Sequence, residues 1–354
     1  MWTASIAAPK SIEARAEAFE AAGWTGMMVV DSQNISGDSY VALTLAARVT
    51  ERLRLGTGVT NPLTRHPAVT ASAIASVQVA SDGRASLAIG RGDSALAHIG
   101  MAPAPVKYLE AYTGALRAYL HGQAVAFEEL GQFSPSGCSR QIDGLNLADA
   151  PSGSSLRWAG AQPSPVPVEV VGSGPAVLAA AARVSDRVWV AVGAQPERVQ
   201  WAISSVRAER DRLGLAPVPI GAVVNVVAHP DLDTARDLVA GGLASTARFS
   251  AMHGVVRAPV AEADREVYQA IARSYEMTRH THGGAGHLQV LTGEFIDQFG
   301  IAGPPSHCVA RLRALAELGI DRFLVIGLSS GGDADQKLRA QALLEKEVLG
   351  PVQQ

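Results

Sequence analysis

Cysteine is nearly absent from this chain. Only Cys138 and Cys308 occur among its 354 residues, in unrelated segments, so no disulfide framework is expected and a reducing cytoplasm is the simplest setting. No stretch approaches the roughly 18 uninterrupted apolar residues of a membrane-spanning helix. The opening MWTASIAAPK lacks the basic start and long apolar stretch of a secretory signal, so none is expected. Charge is balanced too: the formal net charge is −3, which suggests neither nucleic acid nor an anionic membrane as a partner. No metal motif stands out. His280, His282 and His287 come closest, but their spacing matches no usual site, and the glycines between them suggest a mobile loop; no metal is expected.

What the chain has is apolar residues, 47% of the total, and 35 glycines. The first allow one large core; the second suit tight turns and close backbone–ligand approaches. Short apolar runs at residues 2–7, 26–30, 53–59, 85–90, 166–171, 187–192, 220–228 and 322–328 read as strands. They are apolar throughout rather than alternating, as parallel strands buried on both faces are. Helical patterns lie between them, several opened by proline (Pro67, Pro175, Pro196) and several closed by glycine (Gly23, Gly319). In the first half the strand ends recur at roughly 30 residues, the length of a βα unit. Eight strands, each followed by a helix, predict an α/β fold of the (β/α)8 TIM-barrel type, one domain over residues 1–354. The long connections at 128–165 and 229–305, after strands 4 and 7, read as lids or substrate-binding elements.

In such barrels the chemistry sits at the carboxyl ends of the strands. Here strand 2 runs out in Asp31-Ser32-Gln33-Asn34, strand 3 in Gly56-Thr57-Gly58-Val59-Thr60-Asn61-Pro62, strand 4 in Gly90-Arg91-Gly92-Asp93-Ser94 and strand 5 in Gly172-Ser173-Gly174-Pro175. Gly172-Ser173-Gly174 ahead of a helix start either makes a tight turn or offers backbone N–H groups to a phosphate. Val192-Gly193 after strand 6 is a weaker candidate for the same region. Gly172–Val177 lacks the third glycine of a dinucleotide fingerprint, so NAD is not indicated. Asp31 and Asp93 either cap the following helices or work beside a ligand, where either carboxylate could handle a proton. His66, before Pro67, is either an N-cap or a ligand contact.

The stretches LGTGVTNPLTRHP (55–67), DGRASLAIGRGDS (82–94), PVEVVGSGP (167–175) and residues 299–323 carry a resemblance. The chain resembles the bacterial luciferase-like superfamily of flavin and deazaflavin oxidoreductases, and within it the branch that uses coenzyme F420, which includes the methylenetetrahydromethanopterin reductases. The likeness is weakest across 131–157 and 231–287. It implies a small-molecule substrate, F420 as cofactor with FMN as the alternative, and a homodimer as a frequent assembly. It further implies a non-prolyl cis peptide at Gly58–Val59 backing the ring; Thr60 and Asn61, beside that step, and Gly92 are candidates to line the pocket, with His66 open between cap and contact. A ring contact at Asp31, an acidic residue at Asp93 and the cofactor phosphate at Gly172, Ser173 and Gly174 complete the implied site. Asp93 is the expected proton donor. The reductases carry a glutamate in strand 1 where this chain has Ala4-Ser5-Ile6, so the same substrate is not expected. Two rival functions remain at this point: an FMN-dependent monooxygenase and a binding barrel without activity.

Overall fold

A computed structural model describes residues 1–134, 142–160, 165–252, 255–256 and 258–354. Cys138 and parts of the 128–165 and 229–305 connections lie outside the described residues.

The barrel strands are β1 (Trp2–Ile6), β2 (Gly26–Val30), β3 (Arg54–Thr57), β4 (Ala85–Ile89), β5 (Val168–Gly172), β6 (Arg187–Val190), β7 (Ile220–Ala228) and β8 (Arg322–Ile326). Each pairs in parallel with the next, and β8 pairs with β1, so the sheet closes on itself. This is a (β/α)8 barrel. The helices around it that begin Pro67, Pro175, Pro196 and Pro305 carry proline in the first turn, where its missing N–H is no loss. No helix among the described residues is long and apolar enough to cross a membrane.

Large and small residues fill the lower barrel by turns. Trp2 and Trp189 are 1% and 0% exposed and point inward with Met28, Ala88, Val223 and Leu324. Opposite them stand glycines: a Cβ on Gly26 would lie 2.5 Å from the Trp2 ring, and one on Gly221 2.5 Å from the Trp189 ring. A buried carboxylate, Glu169, accepts from Trp189 Nε1 at 2.5 Å and faces Arg322 and Arg187 at 3.4 and 3.6 Å. Cys308 is wholly buried, and burial pushes its thiol up to about 12, so it is an inert core residue.

Some features depart from the sequence reading. Strand 3 stops at Thr57 rather than running to Val59, because the chain bulges there. A short strand, Ile301–Gly303, pairs with the far end of β7, and a two-residue ribbon joins Val125–Ala126 to Gly153–Ser154. In the segment holding His280 and His287, His287 is packed at 1% exposed, while Gly283, Gly284 and Gly286 lie exposed.

The helix Leu232–Ser250 crosses the mouth of the barrel. Near its middle the Leu238 carbonyl accepts from Ser329 N–H beyond β8 (2.8 Å), and Gly241 passes so close to the Thr281 carbonyl that a Cβ would lie 2.4 Å from it. At its far end Arg248 reaches Asp93 beyond β4, and the Phe249 carbonyl accepts from Ser173 beyond β5.

Candidate active site

After Thr57 the peptide between Gly58 and Val59 is cis. Strand pairing resumes at once: Thr60 N–H donates to the Ala88 carbonyl and Gly90 N–H to the Thr60 carbonyl, both at 3.0 Å. Gly58 is required by crowding, since a Cβ there would fall 2.6 Å from Met28 Cβ. Val59 packs half-buried on the inner cluster, at the top of the barrel interior.

Asp31 is 2% exposed and caps nothing; the following helix is capped by Asp38. Its carboxylate accepts from Thr60 Oγ1 (2.6 Å), Gln33 Nε2 (2.8 Å) and Arg65 (2.9 Å). Arg65 also bridges to Asp38 at 2.7 Å and lies 4.8 Å over the Tyr40 ring, whose hydroxyl is pushed up by burial and then by the Asp31 charge. The carboxylate therefore braces the residue that re-enters the sheet just past the bulge.

Asn61 closes the next turn, its Oδ1 accepting from the N–H groups of Leu63 and Thr64 at 3.0 and 3.1 Å. Gly92 (φ +75°) packs on it, and a Cβ there would lie 2.6 Å from Asn61 Cβ. His66 is the N-cap of the helix Pro67–Ala80: its Nδ1 accepts from Ala68 N–H at 3.2 Å, and burial holds its pKa below the usual histidine value.

Asp93 occupies the N-cap position of the short helix Ser94–Ala97 without a side-chain capping bond. Its carboxylate instead meets the Arg248 guanidinium. The two side chains form an ion pair, 14% and 13% exposed. Arg248 Cζ lies 4.6 Å over the Tyr275 ring. Tyr275 meets His280 Nδ1 at 2.6 Å and stacks on His287 at 4.3 Å; burial pushes its hydroxyl up to about 12. Burial, then the charge of Arg248, pushes His280 down to about 4.

At the end of β5, Ser173 and Gly174 are partly exposed and precede Pro175–Val184, while a Cβ on Gly172 would lie 2.8 Å from Val177. The first-turn N–H groups there have no intrahelical acceptor. Val192 and Gly193 lie past the end of β6. Both are buried, Arg198 Nε takes the Val192 carbonyl at 2.9 Å, and a Cβ on Gly193 would lie 2.5 Å from Phe299. Close packing against Phe299 is reason enough for a glycine there.

Several side-chain atoms at the ends of β2, β3 and β4 are buried without a partner: Ser32 Oγ, Gln33 Oε1, Asn61 Nδ2, Thr64 Oγ1, Ser94 Oγ and His98 Nε2. Folded proteins pair nearly all such atoms, so unpaired ones on the segments just past β2, β3 and β4 mark those segments as polar ground with bonding capacity to spare. Sequence reasoning missed Arg65, although it lies within the quoted TRHP stretch, and missed Arg248 and Tyr275, which carry no local motif; it weighed His280 and His287 only as metal ligands.

Fold and site together define a barrel whose segments past β2, β3 and β4 carry several unpartnered polar atoms, on the face where barrel enzymes work. The chain belongs to the luciferase-like monooxygenase family, whose pattern matches residues 1–322. It is 28% identical over 349 residues to the 5,10-methylenetetrahydromethanopterin reductase of Methanolobus tindarius, covering 94% of this chain and 93% of that protein. The structure of the coenzyme F420-dependent tetrahydromethanopterin reductase from Methanopyrus kandleri superposes with a TM-score of 0.71 at 22% identity, over 99% of this chain and 98% of that one. An F420-dependent secondary alcohol dehydrogenase in complex with an F420-acetone adduct gives 0.68 at 15%, over 99% and 98%.

Proposed function

We propose that this chain is a coenzyme F420-dependent oxidoreductase that moves a hydride between deazaflavin C5 and a small organic substrate. The observation that carries this reading is the set of unpartnered polar atoms on the segments just past β2, β3 and β4, at the face where the fold presents its ligands. When bound, the deazaflavin supplies the redox chemistry. The protein supplies position. Gly58 and Val59 back one face of the ring and leave the other to the substrate. Asp31 braces Thr60 beside it. Asn61, Ser94 and Ser32 offer partners to the polar edge, and Ser173 and Gly174 lead the phosphate to a helix N-terminus. The helix Leu232–Ser250 covers the mouth and keeps water out. Asp93, just past β4, is the second carboxylate at these strand ends beside Asp31.

The substrate is not the reductases' own. The end of β1 presents Ala4 and, 49% exposed, Ile6 on the face shared with Trp2, with no carboxylate among them. A small ketone or secondary alcohol, the class the dehydrogenase with the acetone adduct handles, suits such a lining. We place the enzyme in the cytoplasm as a homodimer, with Val41 and Val69, 52% and 55% exposed on neighbouring helices, in the contact; sedimentation velocity reads the assembly directly.

Fluorescence titration of the protein with F420 and with FMN tests the cofactor. Tighter binding of F420 is expected. Micromolar FMN affinity with no measurable F420 binding would instead favour a monooxygenase of the same family.

A further inference from the structure

Away from the cis bulge, three charges stand in one place without meeting an opposite charge. Arg198, in the first turn of the helix Pro196–Arg212, is 1% exposed. Its hydrogen bonds run to neutral acceptors: the carbonyls of Val192 at 2.9 Å and Pro259 at 3.4 Å, and Ser250 Oγ at 2.8 Å. Arg311, half-buried on the helix Pro305–Glu317, donates to the carbonyls of Asp297, Ala194 and Gln298 at 2.9, 3.1 and 3.3 Å. Asp264 is 7% exposed and accepts from an amide, Gln195 Nε2, at 2.7 Å. Among the described residues none of the three forms an ion pair. Buried charges are ordinarily paired, because an unpaired one gives up its hydration for nothing. Burial holds the Arg198 guanidinium below its ordinary pKa, and the Asp264 charge, acting through space, offsets part of that.

All three line one cleft of about 660 Å³, with Glu197 exposed at its edge. A second hollow of about 410 Å³ shares Ala261, Asp264 and Gln298 with it. That hollow carries the exposed carboxylates Glu266 and Glu294 beside Val267 and Phe295. No residue from the ends of β2, β3, β4 or β5 lines either one.

We propose that this double cleft binds a free basic α-amino acid, arginine or lysine. The α-carboxylate meets Arg198 and Arg311; a guanidinium has five N–H donors, and each of these spends three on its neutral acceptors. The α-ammonium meets Asp264, which belongs to both hollows. The methylene stem crosses Val267 and Phe295, and the side-chain cation ends at Glu266 and Glu294. A simple anion would satisfy the arginines and leave Asp264 unpaired, and a simple amine would do the reverse. The site is separate from the bulge, and the proposal holds whichever cofactor the barrel takes.

Isothermal titration calorimetry on the full chain tests it with L-arginine, L-lysine and three controls that each lack one feature. Agmatine has no carboxylate, Nα-acetyl-L-arginine has no ammonium, and L-alanine has no basic side chain. L-Arginine and L-lysine should bind with Kd below about 1 mM, and each control should bind about tenfold weaker or worse, the loss of one charge-assisted contact. Arg311→Gln, its fold verified by circular dichroism, should weaken L-arginine about tenfold and change agmatine by less than about threefold. No saturable binding of either basic amino acid up to about 10 mM would overturn the proposal. So would agmatine, Nα-acetyl-L-arginine or L-alanine binding as tightly as L-arginine, which would reduce the cleft to a patch that attracts one charge. An Arg311→Gln protein that binds L-arginine as wild type does would put the ligand elsewhere and overturn it too. If Arg311→Gln does not fold, Arg311→Lys takes its place, with a smaller loss again confined to ligands that carry the carboxylate.

Discussion

Replacing Asp31 by alanine removes the brace behind the bulge, and its cost follows from the contacts. The carboxylate is 2% exposed and holds Thr60, Gln33 and Arg65 at 2.6, 2.8 and 2.9 Å. Breaking a fully buried ion pair costs about 3–5 kcal/mol because the surviving charge is stranded. Arg65 is not stranded: it keeps Asp38 at 2.7 Å and is 18% exposed, which cuts the electrostatic part to about 1–2 kcal/mol. The buried Thr60 hydroxyl loses its acceptor, adding about 1 kcal/mol. Asp31→Ala should therefore lose about 2–3 kcal/mol, whereas Asp31→Asn, which keeps an oxygen for Thr60, should lose about 1 kcal/mol. Urea unfolding at constant m-value reads both. Because Thr60 re-enters the sheet immediately past the bulge, F420 affinity should fall at least about tenfold in the alanine variant. An alanine variant within about 0.5 kcal/mol of the parent would refute the bracing argument. Full stability and full F420 affinity with lost turnover would return Asp31 to the chemistry itself.

Two further outcomes are expected. His66→Ala removes the acceptor for Ala68 N–H and should cost about 1 kcal/mol in urea unfolding, with F420 affinity unchanged. His280, held down to about 4 by burial and by Arg248, is neutral when folded, while the unfolded chain protonates near the ordinary histidine value of about 6.5. Its contribution is present above that value and is lost as pH falls towards 4, up to about 3 kcal/mol; His280→Gln should flatten the stability profile over that window, and an unchanged slope would assign the acid sensitivity to other groups.

The barrel was legible because its strands are unbroken apolar runs at a regular interval, and β7 (IGAVVNVVA) is buried at every position. The site was half legible. Gly58, Thr60, Asn61, Asp31 and Asp93 all lie on the strand ends where the sequence reading put them. What decides their state does not: Arg65 is 34 positions from Asp31 and Arg248 is 155 from Asp93, and no local pattern announces either partner. His66 was read as cap or contact, and only the Nδ1 geometry identifies the cap. The strand Ile301–Gly303 escaped notice because its three residues are too few to show a period.

The tryptophans low in the barrel have a consequence for traffic. With Trp2, Trp189 and the Glu169–Arg322 layer stoppering the floor, the barrel is a cup with one opening. Whatever lies deepest must enter first and depart last. A cofactor seated against Gly58 would then be buried beneath its substrate, and each turnover would have to clear the substrate side before the spent cofactor could be exchanged.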